Sequence, residues 1–157
     1  MRLFVQVRPS PGAVAHLQAH LGRVRTSNPD QWHVTLAFLG DVADAEPLHG
    51  GLQAAADLHP PFALRLAGGG TFGPRTTWAG VAGDVEVLRS LAQHVQDACG
   101  LEPRPYRPHL TVGRVDPRLL SGYDGPEFRV DQLQLVQSVL GTRAVHTVLR
   151  AYPLYQA

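Results

Sequence analysis

The chain contains no lysine and no isoleucine, and only one cysteine and one methionine among 157 residues. The single cysteine, Cys99, excludes an intramolecular disulfide and any metal site built from several cysteines. No apolar run approaches the roughly 18 residues that a membrane-spanning helix needs, so no membrane partner is expected. The first residues, MRLFVQVRPSPG, lack an apolar stretch long enough for a secretory signal, and the expected compartment is the cytoplasm. Charge of one sign is lacking too. Fourteen basic and 13 acidic side chains leave a formal net charge of +1, which excludes a broadly basic nucleic-acid coat and an acidic tail. Every basic residue is arginine, which together with the missing isoleucine reads as the bias of a GC-rich genome. An arginine here is therefore not by itself a sign of phosphate binding.

What is present in quantity is punctuation: 16 glycines and 13 prolines divide the chain into short elements. Arg2 to Val7 reads as a strand. Ser10 then reads as an N-cap, with Pro11 at the first helical position, Val14, Leu17 and Leu21 on one face, and Gly22 after the end. Trp32 to Leu39 reads as a strand ending at Gly40, and Asp44 to Leu58 as a helix with Leu48, Leu52 and Ala55 inward. Phe62 to Ala67 and Thr77 to Ala82 read as strands joined by a turn at Gly68-Gly69-Gly70. Asp84 is expected to cap a helix through about Ala98, stopped by Gly100. His109 to Val115, Gln132 to Val136 and His146 to Tyr152 complete the strands. Three helices mixed with about seven strands, some adjacent, favour α+β over a doubly wound sheet. No composition break marks a linker, so residues 1–157 are read as one domain. A chain of this length buries roughly 70% of its unfolded surface and needs no metal or disulfide to fold.

Two segments echo each other. His33-Val34-Thr35-Leu36 and His109-Leu110-Thr111-Val112 both read His-apolar-Thr-apolar, both on expected strands, about half the chain apart. Alternation along a strand places His33 with Thr35, and His109 with Thr111, on one face, and the apolar residues on the other. Two facing lobes would then bring two imidazoles and two hydroxyls to one cleft. Two imidazoles can divide acid and base roles near neutral pH, and hydroxyls can donate to phosphoryl oxygens. The chemistry this suits is metal-free hydrolysis or transfer at a phosphodiester, with a bell-shaped pH dependence near neutrality.

At these residues the sequence resembles the two-histidine (2H) phosphoesterase superfamily, defined by paired His-x-Thr-x motifs. Within it, the chain is most similar to the RNA 2′,3′-cyclic phosphodiesterase branch, also called the LigT-like 2′-5′ RNA ligase family. Arg2 to Val5 resembles that family's first strand, His33 to Gly40 its first motif, and Arg107 to Arg114 its second. Arg75 to Gly80 and Tyr152 to Leu154 fit further segments, so the resemblance spans nearly the whole chain. It implies an α+β fold of two similar lobes, each of antiparallel sheet plus helices, around a pseudo-twofold axis with a central cleft. It implies His33 and His109 as the catalytic pair, Thr35 and Thr111 as phosphate-holding hydroxyls, Arg114 as a basic substrate contact, and Phe4 as a ring that stacks on a base. The implied reaction opens a terminal 2′,3′-cyclic phosphate of RNA to a 2′-phosphate with no metal and no cofactor, with 2′-5′ joining as its reverse. The implied partners are RNA with such ends or small cyclic nucleotides, and a monomer is expected.

Two positions depart from the family pattern: His146, where tyrosine is common, and Thr26, where an aromatic is common. Neither is expected to touch the catalytic four. Arg114 lies five residues after His109, hence on the opposite face under strict alternation, and needs a bulge or a strand end to reach the cleft. The i, i+4 pair His16 and His20 reads as a solvated helix face, and His49, His59 and His94 as surface. Cys99 is expected to be buried rather than reactive. The alternatives are a phosphodiesterase for another cyclic or 2′-5′-linked nucleotide, an RNA-end binding module without turnover, and a metal-dependent hydrolase. Retention of both His and both Thr weighs against the binding module, and missing His/Asp clusters weigh against the metal enzyme.

Overall fold

The computed structural model describes residues 1–156. In chain order the elements are β1 (Arg2–Val7), α1 (Pro11–Leu21), β2 (Val34–Asp41), α2 (His49–Asp57), β3 (Phe62–Phe72), β4 (Thr76–Gly83), α3 (Val85–Ala98), β5 (His109–Gly113), β6 (Phe128–Val130), β7 (Gln132–Val139) and β8 (Val145–Pro153). The strands form two four-stranded sheets, ordered β2-β1-β7-β8 and β5-β4-β3-β6, with every pairing antiparallel. The two orders correspond position by position, and each sheet carries one His-x-Thr strand at an edge. Those edges, β2 and β5, lie against each other. The expected α+β fold of two antiparallel lobes is the observed one.

The helices tie the lobes together. Ser10 caps α1 by accepting from the Ala13 amide at 3.1 Å, and Gly22, at φ +68°, ends it by donating to the Gln18 carbonyl at 3.0 Å. α1 leaves the first sheet yet reaches the second lobe, where His16 meets the Tyr123 hydroxyl at 2.8 Å and His20 the Leu119 carbonyl at 2.7 Å. Conversely, α3 follows a strand of the second sheet but packs on β2 of the first, with Gln96 donating to the Leu36 carbonyl at 3.1 Å. One apolar cluster results, running from Leu3, Val5 and Leu17 through Leu64, Leu91 and Leu110. β1 lies between β2 and β7, and its non-core face is covered as well, Phe4 by the rings of His33 and His146 and Gln6 by Gln134, to which it donates at 2.8 Å.

Several expected boundaries move. Gly68-Gly69-Gly70 is not a turn: β3 runs through it to Phe72, and the reversal comes at residues 73–75. Gly68 takes a left-handed φ of +63°, and the two glycines after it are there for close approach. A Cβ on Gly69 would lie 2.5 Å from the Trp78 carbonyl oxygen, and one on Gly70 would lie 2.6 Å from the Trp78 ring. The second helix begins with a 3-10 turn at Glu46–Leu48, and only His49–Asp57 is α-helical. Gly51 in it faces α3, where its Cβ would stand 3.2 Å from that of Ala98. Asp84 precedes α3 but does not cap it through its side chain, which instead accepts from the Ala63 amide at 3.1 Å. β6 alternates as Phe128-Arg129-Val130, but three residues are too few for the alternation to read as a strand, and it is absent from the expected elements. No helix among the described residues is long and apolar enough to cross a membrane.

Candidate active site

The two motif strands alternate as their sequences dictate. Val34 and Leu36 are buried beneath β2 and Leu110 and Val112 beneath β5, while His33, Thr35, His109 and Thr111 turn to a shared cleft of about 510 Å³. Each imidazole is oriented in the same way. His33 Nδ1 lies 2.8 Å from the Gln31 carbonyl oxygen, and His109 Nδ1 lies 2.7 Å from that of Arg107. A carbonyl can only accept, so each Nδ1 carries the proton and donates, and each Nε2 is left for the cleft in the neutral ring. His33 Nε2 is 3.1 Å from the Thr35 hydroxyl, which donates to it. The backbone two residues before each histidine thus selects its tautomer, so the paired motifs are alike in local geometry as well as in sequence.

The two imidazoles differ in surroundings. His33 sits against Phe4, ring centroids 4.9 Å apart, and burial there pushes it down from 6.5 to about 4. Its bond to the Gln31 carbonyl opposes that shift, while His146, Arg8 and His109 add to it. His109 is flanked by Phe72, edge-on at 4.8 Å, and by Trp78 at 6.1 Å. The seam between the motifs is fastened from behind by Tyr106, whose hydroxyl donates to the Thr35 carbonyl at 2.7 Å.

His146 is the cleft residue that the sequence did not reveal. It was expected not to touch the catalytic four, yet its ring stands 5.5 Å from that of His33 and 5.1 Å from that of Phe4. Burial, with Arg8 nearby, lowers its pKa. Gln31 brackets both imidazoles: its carbonyl orients His33, and its side-chain oxygen accepts from the His146 amide at 2.9 Å. Only chain pairing could have revealed this, because His146 belongs to β8, two strands away from β1 in the same sheet.

The other anticipated residues fall as follows. Phe4 lines the cleft but is only 4% exposed and is covered by the two imidazoles, which leaves little ring for a base. The freely exposed ring at the cleft is Phe38, at 69%. Arg114 follows the end of β5 at Gly113 and lines a separate shallow depression with Thr71 and Arg75, so the structure does not bring it to the histidines. Thr26 bonds its neighbour's carbonyl at the surface. His59 is not at the surface: it is buried, 2.7 Å from His94. His49 is half-buried against the Tyr152 hydroxyl at 2.5 Å. Cys99 is partly buried, and burial pushes its thiol up to about 11, in keeping with low reactivity.

Residues 6–142 match the profile of the 2′-5′ RNA ligase superfamily. The chain belongs to that superfamily. It is 33% identical over 148 residues to an RNA 2′,3′-cyclic phosphodiesterase of Geobacillus stearothermophilus, covering 82% of this chain and 47% of that protein. It is 32% identical over 145 residues to a protein of the same description from Thermus thermophilus, covering 80% of this chain and 73% of that one. Among solved structures, apo E. coli LigT superposes with a TM-score of 0.77 at 26% identity, covering 99% of this chain and 98% of that chain. The superfamily member described here thus spans about half the length of the Geobacillus relative and nearly all of the LigT fold.

Proposed function

We propose that this superfamily member hydrolyses RNA 2′,3′-cyclic phosphodiester ends to 2′-phosphomonoesters, with His33 and His109 as its acid–base pair. The observation that carries the reading is the matched orientation of the two imidazoles, each with Nδ1 held by a carbonyl two residues upstream and Nε2 turned to one cleft. The names of the relatives point the same way.

His33, kept neutral by its burial, is the base. Its Nε2 takes a proton from water as the water oxygen bonds to phosphorus. The P–O3′ bond breaks, and His109 in its protonated form gives its Nε2 proton to O3′, leaving the phosphate on O2′. Thr35 and Thr111 donate to the non-bridging oxygens as negative charge grows there. The anionic phosphate raises the His33 pKa on binding, which strengthens it as a base when it is needed. Run in the same direction with a ribose 5′-hydroxyl in place of water, the same steps join a 2′-5′ bond.

The test is turnover of an oligoribonucleotide ending in a 2′,3′-cyclic phosphate, in EDTA, by wild type, His33→Ala and His109→Ala. Each imidazole contributes roughly 10²–10⁴ in rate, so both variants should fall by that factor. A 2′-phosphate product supports the assignment of the leaving oxygen. Loss of wild-type activity in EDTA, or unchanged rates in both variants, would refute the proposal.

A further inference from the structure

A second cavity of about 480 Å³ adjoins the catalytic cleft on the other side of the β2–β5 seam, and Thr35, Phe38 and His109 belong to the walls of both. It runs between β2, α3 and the proline-rich segment before β5. Its walls are of three kinds. Leu36, Leu101 and Pro105 are apolar, and the exposed ring of Phe38 stands at the junction of the two cavities. Arg104 and Arg107 supply positive charge, with Glu102 the one acidic side chain beside them. Gln96 supplies the unusual feature. It is only 5% exposed, and its amide nitrogen donates to the Leu36 carbonyl, which fixes the amide's orientation and leaves Oε1 buried without a partner. A buried acceptor left unpaired is costly, and one in a cavity wall is suited to a ligand N–H or O–H.

We propose that this groove is the subsite for the nucleotide immediately 5′ of the reacting end, so that the substrate is an RNA strand rather than a mononucleotide cyclic phosphate. The proposal rests on the function put forward above and deepens it. The reacting phosphate lies at the histidines, where the cavities meet. The ribose bearing it continues through its 5′ oxygen to a phosphodiester, which the arginines face. The next nucleoside offers a π-face to Phe38 and amino or 2′-hydroxyl protons to Gln96. A phosphodiester explains the arginines where a neutral ligand would not, and an aromatic beside a cationic groove is how sequence-tolerant single-strand binding is built. Its volume falls within the range of ordinary small-ligand sites.

The experiment compares a dinucleotide ending in a 2′,3′-cyclic phosphate with the matching mononucleotide 2′,3′-cyclic phosphate. Stacking alone is worth about tenfold per base or more, so kcat/KM should favour the dinucleotide by about tenfold or better. Its logarithm should fall more steeply with salt, by about 0.7 per added phosphate contact. Arg104→Ala should shrink the dinucleotide-to-mononucleotide ratio, a readout from which a general loss of activity cancels. Equal kcat/KM for the two substrates, or a ratio untouched by Arg104→Ala, would overturn the subsite while leaving the proposed function intact. If neither substrate is turned over, the proposed function fails. The groove is then decided by calorimetric affinity for the 2′-phosphorylated dinucleotide against the 2′-phosphorylated mononucleotide: tighter dinucleotide binding supports it, equal binding overturns it.

Discussion

Burial of His33 should make the fold acid-labile in a measurable, residue-specific way. The imidazole titrates near 6.5 in an unfolded chain and near 4 here, chiefly because burial against Phe4 penalises its charged form. Between those values the unfolded state binds a proton that the folded state does not, so stability falls as pH drops from about 6.5 to about 4 and is flat above. At about 1.4 kcal/mol per pH unit, the full effect is about 3 kcal/mol. The perturbation is His33→Asn, whose side-chain amide can still donate to the Gln31 carbonyl but cannot titrate. Urea unfolding at pH 7, 6, 5 and 4 would be followed for both proteins. His59 also titrates low, mainly through burial, but it is present in both chains and cancels in the difference. Wild type should lose about 3 kcal/mol more than His33→Asn between pH 7 and 4. Parallel stability profiles would refute the claim that this imidazole is held neutral by its burial.

The same depression should place the acid limb of kcat/KM well below 6, rather than near neutrality as the motifs alone suggested, since that profile reports the free protein; an acid limb near 6.5 would contradict it. Tyr106→Phe removes the hydroxyl that ties the second motif's approach to the Thr35 carbonyl. It should cost about 1–3 kcal/mol in denaturant unfolding and lower kcat more than it raises KM. Gly70→Ala drives a Cβ into Trp78, which flanks His109, so thermal unfolding should show a loss of about 1–3 kcal/mol together with reduced turnover.

The catalytic candidates were legible because they obey a local rule. His-apolar-Thr-apolar on a strand requires nothing but alternation to put His33 with Thr35 and His109 with Thr111 over a buried stripe. The first helix was legible for the same reason: Ser10, Pro11 and Gly22 act on the backbone beside them. Gly68-Gly69-Gly70 misled, because Gly69 and Gly70 answer to the carbonyl oxygen and the ring of Trp78 on the neighbouring strand, which no local pattern encodes.

By itself, then, the sequence determined the α+β class, the paired motifs and the face each presents, since these follow from hydrogen-bonding periods that act within a few residues. Only the tertiary structure decided that β2 and β5 meet edge against edge, and that His146 stands over His33. It also decided that Phe4 is covered while Phe38 is exposed, and that Arg114 lies apart from the cleft. It decided the state of His33 as well. Burial is a property of what packs around a side chain, and Phe4 lies on another strand, so nothing local in the motif shows that His33 is pressed into an apolar wall and driven neutral.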